Sequence, residues 1–145
     1  MIDPTGSLIV ELREDAGVAA IAGARIRGLE PEGATRTYEG DALGPGHYKA
    51  FVVLAALSLP PHRRVPVMWA EYVVRAYGRD GDEAMALYLA IVDAMHRRGP
   101  RLKSNGLGIY STHVTGGEAS KDPKTQQPVV TGTIQLTATT QAVTA

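Results

Sequence analysis

Four histidines, His47, His62, His96 and His113, carry the side chain best suited to proton transfer near neutral pH and to metal ligation. They are scattered, with neither HxxxH nor HxH spacing, so they do not read as a metal centre. The serines (Ser7, Ser58, Ser104, Ser111 and Ser120) include no GxSxG elbow, and the absence of cysteine removes thiol nucleophiles, disulfides and thiolate-bound zinc. Asp80 and Asp82 are close enough to act as paired carboxylates, but capping of a helix accounts for them. Gly106-Leu107-Gly108 leads into a strand and not into a helix N-terminus, so it is no dinucleotide fingerprint. Two small basic clusters, His62-Arg63-Arg64 and His96-Arg97-Arg98, read as a solvated turn and a dipole-compensated helix end. Nothing here assembles into a catalytic constellation. The expectation is a chain that is not an enzyme and uses no cofactor or metal.

Bulk properties set the frame. A length of 145 residues suits one domain spanning 1–145, and 44% apolar residues suffice for a core. Zero formal net charge argues against long-range attraction to a polyanion. The start, Met1-Ile2-Asp3-Pro4, lacks a basic segment followed by an apolar one, so no signal peptide is expected. No apolar run approaches the roughly 20 residues of a membrane span, and no membrane partner is expected.

The best-specified stretch is Val65–Gly99. Along a strand over Val65–Tyr77, Met68, Ala70, Tyr72, Val74 and Ala76 share one apolar face. Val67, Trp69, Glu71, Val73, Arg75 and Tyr77 share the other. A turn at Gly78-Arg79 leads to a helix over Asp80–Arg98, with Asp80 and Glu83 at capping-box spacing. Ala84, Leu87, Tyr88, Ile91, Val92 and Met95 form its apolar stripe, and Gly99-Pro100 its stop.

The other elements follow in order. Asp3-Pro4 opens a short helix to about Asp15, with Leu8, Ile9 and Leu12 inside and Glu11, Arg13 and Glu14 outside. Asp15 caps a further turn that buries Val18, Ala19 and Ile21 and stops at Gly23; Arg25–Leu29 is a short strand. Residues 30–47 form an extended, turn-rich loop. Tyr48–Leu59 is a strand apolar on both faces and antiparallel to Val65–Tyr77. Leu107–Val114 and Val129–Thr139 close a hairpin around a polar loop at 116–128, and 141–145 reads as a flexible tail. The fold expected is α+β: a mostly antiparallel sheet of about five strands, two main helices on one face, and a long protruding C-terminal β-hairpin.

Two helices cover only one face of such a sheet. Leaving Val67, Trp69 and Val73 in water would forgo roughly 1.5–3 kcal/mol for each large side chain, a sizeable part of a typical domain's stability. A second subunit is therefore expected over that face. The candidate interface residues are Trp69, Glu71 and Arg75 on the strand, Arg36, Tyr38 and His47 in and beside the first loop, and Lys121, Asp122, Lys124 and Thr125 at the hairpin tip.

Three stretches also carry a family resemblance: "GARI" at Gly23–Ile26, "VPVMWAEYVVRAYGRDGDEAMALYLAIVDAMH" at Val65–His96, and "GGEASKDPKTQQPVVTGTIQL" at Gly117–Leu136. In this order the chain resembles the tail terminator proteins of tailed bacteriophages. The resemblance implies a virion protein made in the host bacterial cytoplasm and placed at the head-proximal end of the tail. It would form a homohexameric ring that ends tube polymerisation. Its partners would be itself, the tail tube protein, the head-completion or stopper protein and the end of the tape-measure protein. DNA would pass its lumen without sequence-specific binding. The alternatives are another neck or head–tail connector protein, or a small oligomeric enzyme or ligand-binding domain with Glu71, Arg75, Tyr110 and His113 around a pocket at Trp69.

Overall fold

A computed structural model describes residues 4–28, 42–44, 47–58, 60, 66–123 and 126–140, with the backbone alone at 42–44 and 47–48. The elements run α1 (Thr5–Glu14), α2 (Ala16–Ala22), β1 (Ile26–Gly28), β2 (Ala42–Gly44), β3 (His47–Tyr48), β4 (Phe51–Ser58), β5 (Val67–Tyr77), α3 (Gly81–Met95), β6 (Arg101–Leu102), β7 (Gly108–Lys121) and β8 (Pro128–Thr139). Six strands form one sheet in the order β1-β4-β5-β8-β7-β6, and β2 and β3 pair separately. Only β1 runs parallel to its neighbour, β4. The α+β architecture is as expected, with one more strand in the sheet and α2 as a third helix.

Strand β5 lies in the middle, paired with β4 on one side and along its whole length with β8 on the other. Its alternation holds: Met68, Ala70, Tyr72, Val74 and Ala76 are all buried in the main core. Helix α3 lays Ala84, Leu87, Tyr88, Ile91 and Met95 onto that face. Leu8 and Leu12 of α1 and Val18 and Ala22 of α2 complete the layer. Gly78 is required where β5 turns into α3, because a Cβ there would stand 2.3 Å from the Ala84 nitrogen.

Capping differs from expectation in its details. Asp80 Oδ1 accepts the Glu83 N–H at 2.8 Å, as a capping box demands. The Glu83 carboxylate does not return to the Asp80 N–H; it takes the Arg79 N–H at 2.9 Å and the Arg79 guanidinium at 2.7 Å. Similarly, α1 has Pro4 at its N-cap and no side-chain cap, and Asp3 lies outside the described residues. Asp15 does cap α2, accepting the Val18 N–H at 3.0 Å.

The helix over Asp80–Arg98 stops three residues early, at Met95, and Gly99 is not its C′ residue. The cause is β7. Thr112 Oγ1 donates to the Met95 carbonyl at 2.7 Å, the Thr112 N–H donates to the Arg98 carbonyl at 3.1 Å, and the Val114 N–H donates to His96 Nδ1 at 3.1 Å. These bonds draw the chain out of the helix, and Arg97 takes the left-handed conformation (φ 56°).

Two further corrections concern strands. Tyr48–Leu59 is interrupted at Lys49-Ala50, so that Tyr48 belongs to β3 and the long strand starts at Phe51. Much of the polar segment 116–128 is strand: past a bulge at Gly116-Gly117, Ala119, Ser120 and Lys121 pair with Val130, Val129 and Pro128. Backbone ladders need no apolar side chains, so polarity concealed the pairing. The hairpin is long, but its end is tied back: Gln127 Nε2 donates to the Gly78 carbonyl at 3.2 Å and Tyr77 Oη to Asp122 Oδ2 at 3.5 Å.

Candidate assembly surface

The helices leave the opposite face of the sheet without a covering layer among the described residues. Register defines its rows. At one end Phe51, Tyr77 and Val129 form a small second cluster, the Phe51 and Tyr77 rings stacked at 4.4 Å with Val53 packed against them. The next rows place Arg75 beside Thr131, Val73 beside Thr133, and Glu71 beside Gln135. Gln135 Nε2 donates to Glu71 Oε1 at 3.5 Å. At the far end Trp69 faces Thr137 and is 49% exposed.

That far end is unusual. Leu57 (62% exposed), Trp69, Leu102 and Tyr110 are exposed large apolar residues that lie where β4 ends and where β5 and β7 begin. Val10 and Leu89 are the other such residues among those described. Strand periodicity had Leu57 on a covered face and did not single out Leu102. Nothing in the alternation separates the buried half of β4 from its exposed half, because the difference is where β1 stops: β1 reaches only Leu54.

The electrostatic centre lies elsewhere, on the helical side. Glu11, read as an outward residue of α1, is buried with its side chain 1% exposed, which corrects that expectation. Arg101 grips it as a fork, with Nη2 at 2.9 Å from Oε2 and Nε on Oε1. Lys103 Nζ stands 2.8 Å from Oε1 and Arg98 Nη1 3.8 Å from Oε2. Burial pushes the carboxyl pKa up, but the bonds and charges of Arg101 and Lys103 outweigh it and hold it below the usual glutamate value. Arg101 also donates to the Gly99 carbonyl and to Thr112 Oγ1. The network ties α1 to the strap 98–103, and no local spacing could reveal it, since Glu11 and Arg101 are 90 residues apart.

The expected interface residues are distributed as follows. Trp69, Glu71 and Arg75 share the open face of β5, the latter two half-buried. Lys121 is exposed at the end of β7, whereas Asp122 is turned inward and buried. His47 lies in β3, its side chain not described; Arg36, Tyr38, Lys124 and Thr125 lie outside the described residues. Of the groups set around the alternative pocket, Tyr110 and His113 are exposed on β7. His113 meets the His96 ring edge-on at 6.0 Å. Among the described residues no three His, Asp or Glu side chains are placed to hold a metal ion, and no helix is long and apolar enough to cross a membrane.

No protein-family model matches the sequence, and no curated protein matches it either. Among solved structures, a chain from the virion of a native gene transfer agent particle is similar in fold, with a TM-score of 0.63 and 14% sequence identity over 91% of each chain. The α+β arrangement built around β5 and α3 is therefore one that a virion chain also adopts.

Proposed function

We propose that this chain is a structural protein of a phage-like particle. It caps the head-proximal end of the tail tube as a ring of identical subunits, ends tube polymerisation and presents the surface that joins the head. The observation that carries the reading is the end-to-end likeness to a gene transfer agent virion chain. The open sheet face, with Leu57, Trp69, Leu102 and Tyr110 exposed at one end, supplies surface for neighbours. The mechanism is mechanical. A ring whose lower surface matches the tube subunit and whose upper surface does not repeat it stops a heterologous stack from growing. The subunit binds copies of itself, the tube protein, the head-joining protein and the end of the tape-measure protein, while DNA passes without base-specific contact.

Disruption of the gene in a producing strain tests this. Tails of abnormal length that fail to join heads, restored by a plasmid copy, are the expected result. Tails of normal length attached to heads would refute the assignment, and a ring of about six subunits in negative stain would support it.

A further inference from the structure

The His96-Arg97-Arg98 cluster follows α3, but His96 has a task that ending a helix does not require. Strand β7 pairs with β8 along one edge. Its other edge turns toward the chain that leaves α3. Thr112 and Val114 are buried there, so their N–H groups need acceptors. The ladder to β6 cannot supply them, because it reaches only Gly108 and Ile109. At Thr112 the acceptor is the Arg98 carbonyl, at 3.1 Å, in an isolated antiparallel bridge. Two residues on, at Val114, it is the imidazole of His96, with Nδ1 at 3.1 Å. A side chain thus stands where a neighbouring strand would present a carbonyl.

The two acceptors differ in one respect. A carbonyl accepts at every pH, whereas Nδ1 has a free lone pair only in the neutral ring; in the cation both ring nitrogens are donors. The Val114 bond therefore selects the neutral ring with its proton on Nε2, and a second proton on Nδ1 sets two donors face to face. The ring itself is exposed, so protons reach it without unfolding. Charged groups on the surrounding elements act in both directions. Asp93, one turn back on α3, and the negative end of the helix dipole favour the cation. Arg97, Arg98 and His113, whose ring meets His96 edge-on at 6.0 Å, oppose a further positive charge. Glu11 on α1 is taken by Arg101 and Lys103, and Glu118 lies beyond the bulge of β7.

We infer that His96 is a pH-sensitive latch. The neutral ring holds the edge of β7 to the end of α3, and protonation releases it at Val114. Thr112 stays bound to the Met95 and Arg98 carbonyls and acts as the hinge. The latch is a property of the single subunit, independent of the function proposed above.

Amide hydrogen exchange and histidine side-chain nitrogen NMR spectra of the full chain, from about pH 8 to about pH 5 where histidines titrate, test it. At the upper end His96 should carry its proton on Nε2 and none on Nδ1. The Val114 protection factor, corrected for the intrinsic pH dependence of exchange, should fall at least ~10-fold across the range, while that of Thr112 changes less than ~2-fold. Two variants, their fold checked by circular dichroism, should lose this response. His96→Asn offers an amide oxygen that does not titrate and should keep Val114 protected throughout, whereas His96→Phe offers no acceptor and should leave it unprotected throughout. His113→Gln should respond as wild type does. A proton on His96 Nδ1 at about pH 8, Val114 protection indifferent to pH, or a response of wild-type size in either His96 variant would each overturn the inference. Loss of the response in His113→Gln would do the same, since the titrating group would then be His113. So would an equal loss of protection at Thr112 and along β5 and β8, which marks global unfolding in place of a latch.

Discussion

Gly132→Ala is the substitution for which the structure gives the sharpest number. Strand β8 would place a side chain on the helical face at this position, between Val130 and Ile134, and α3 uses the vacancy to seat Tyr88. An alanine Cβ would stand 2.3 Å from Tyr88 Oη, 2.7 Å from Cε2 and 2.9 Å from Cζ. On the β7 side the same ring packs over Gly117, where a Cβ would stand 3.1 Å from Cε1. Overpacking of this kind costs typically about 1–3 kcal/mol. Displacing the ring also weakens the Tyr88 hydroxyl bond to the Thr115 carbonyl (3.4 Å), worth up to about 1 kcal/mol. Together these put the destabilisation at about 1–4 kcal/mol. Urea unfolding of wild type, Gly132→Ala, Tyr88→Phe and the double variant measures it. Removing the hydroxyl deletes the shortest contact and not the ring contacts, so Tyr88→Phe should recover about 1 kcal/mol of the loss. A Gly132→Ala protein within about 0.5 kcal/mol of wild type, with no coupling to position 88, would refute the reasoning.

Other consequences can be checked in the same assay. Glu11→Gln leaves Arg101 and Lys103 facing a neutral group and should destabilise by about 2–4 kcal/mol, because the charges remain while their buried partner is gone. Since the folded state depresses the Glu11 pKa, its stabilisation is complete above the unfolded value near 4.5 and is lost as pH falls through the lower folded value; the variant should show a flatter stability profile in that acid range. Arg97→Gly should stabilise by about 0.5–1 kcal/mol, since glycine accepts φ 56° without a Cβ clash; a loss of stability would mean the side chain is held by contacts within the chain. Asp80→Ala should cost about 1 kcal/mol and Asp80→Ser almost nothing, both read from the shift in urea midpoint.

Local periodicity carried the scaffold. The two-residue alternation of β5 and the three- and four-residue stripe of α3 name the buried side chains, because an element that must bury one face writes that face into its spacing. The Asp80 cap and the antiparallel pairing of β4 with β5 were legible for the same reason. The short strand expected at Arg25–Leu29 is present as β1, but elements without a spacing to read were not legible: β6 is two residues long, and the distal half of β7 is polar strand held by backbone bonds. Of the candidate surface, the half-exposed Trp69 was legible, since an aromatic beside Glu71 and Arg75 marks a face only half committed to a core.

What remained was decided between elements distant in sequence. The helix end at Met95 is set by Thr112 and Val114, bonds that outcompete Gly99 as a stop. Asp122 turns inward because Tyr77 waits at the end of another strand. Glu11 is buried only because Arg101 and Lys103, some 90 residues on, arrive to neutralise it. A carboxylate on a helix reads as solvated from spacing alone, and only the assembled fold supplies the cations that allow its burial.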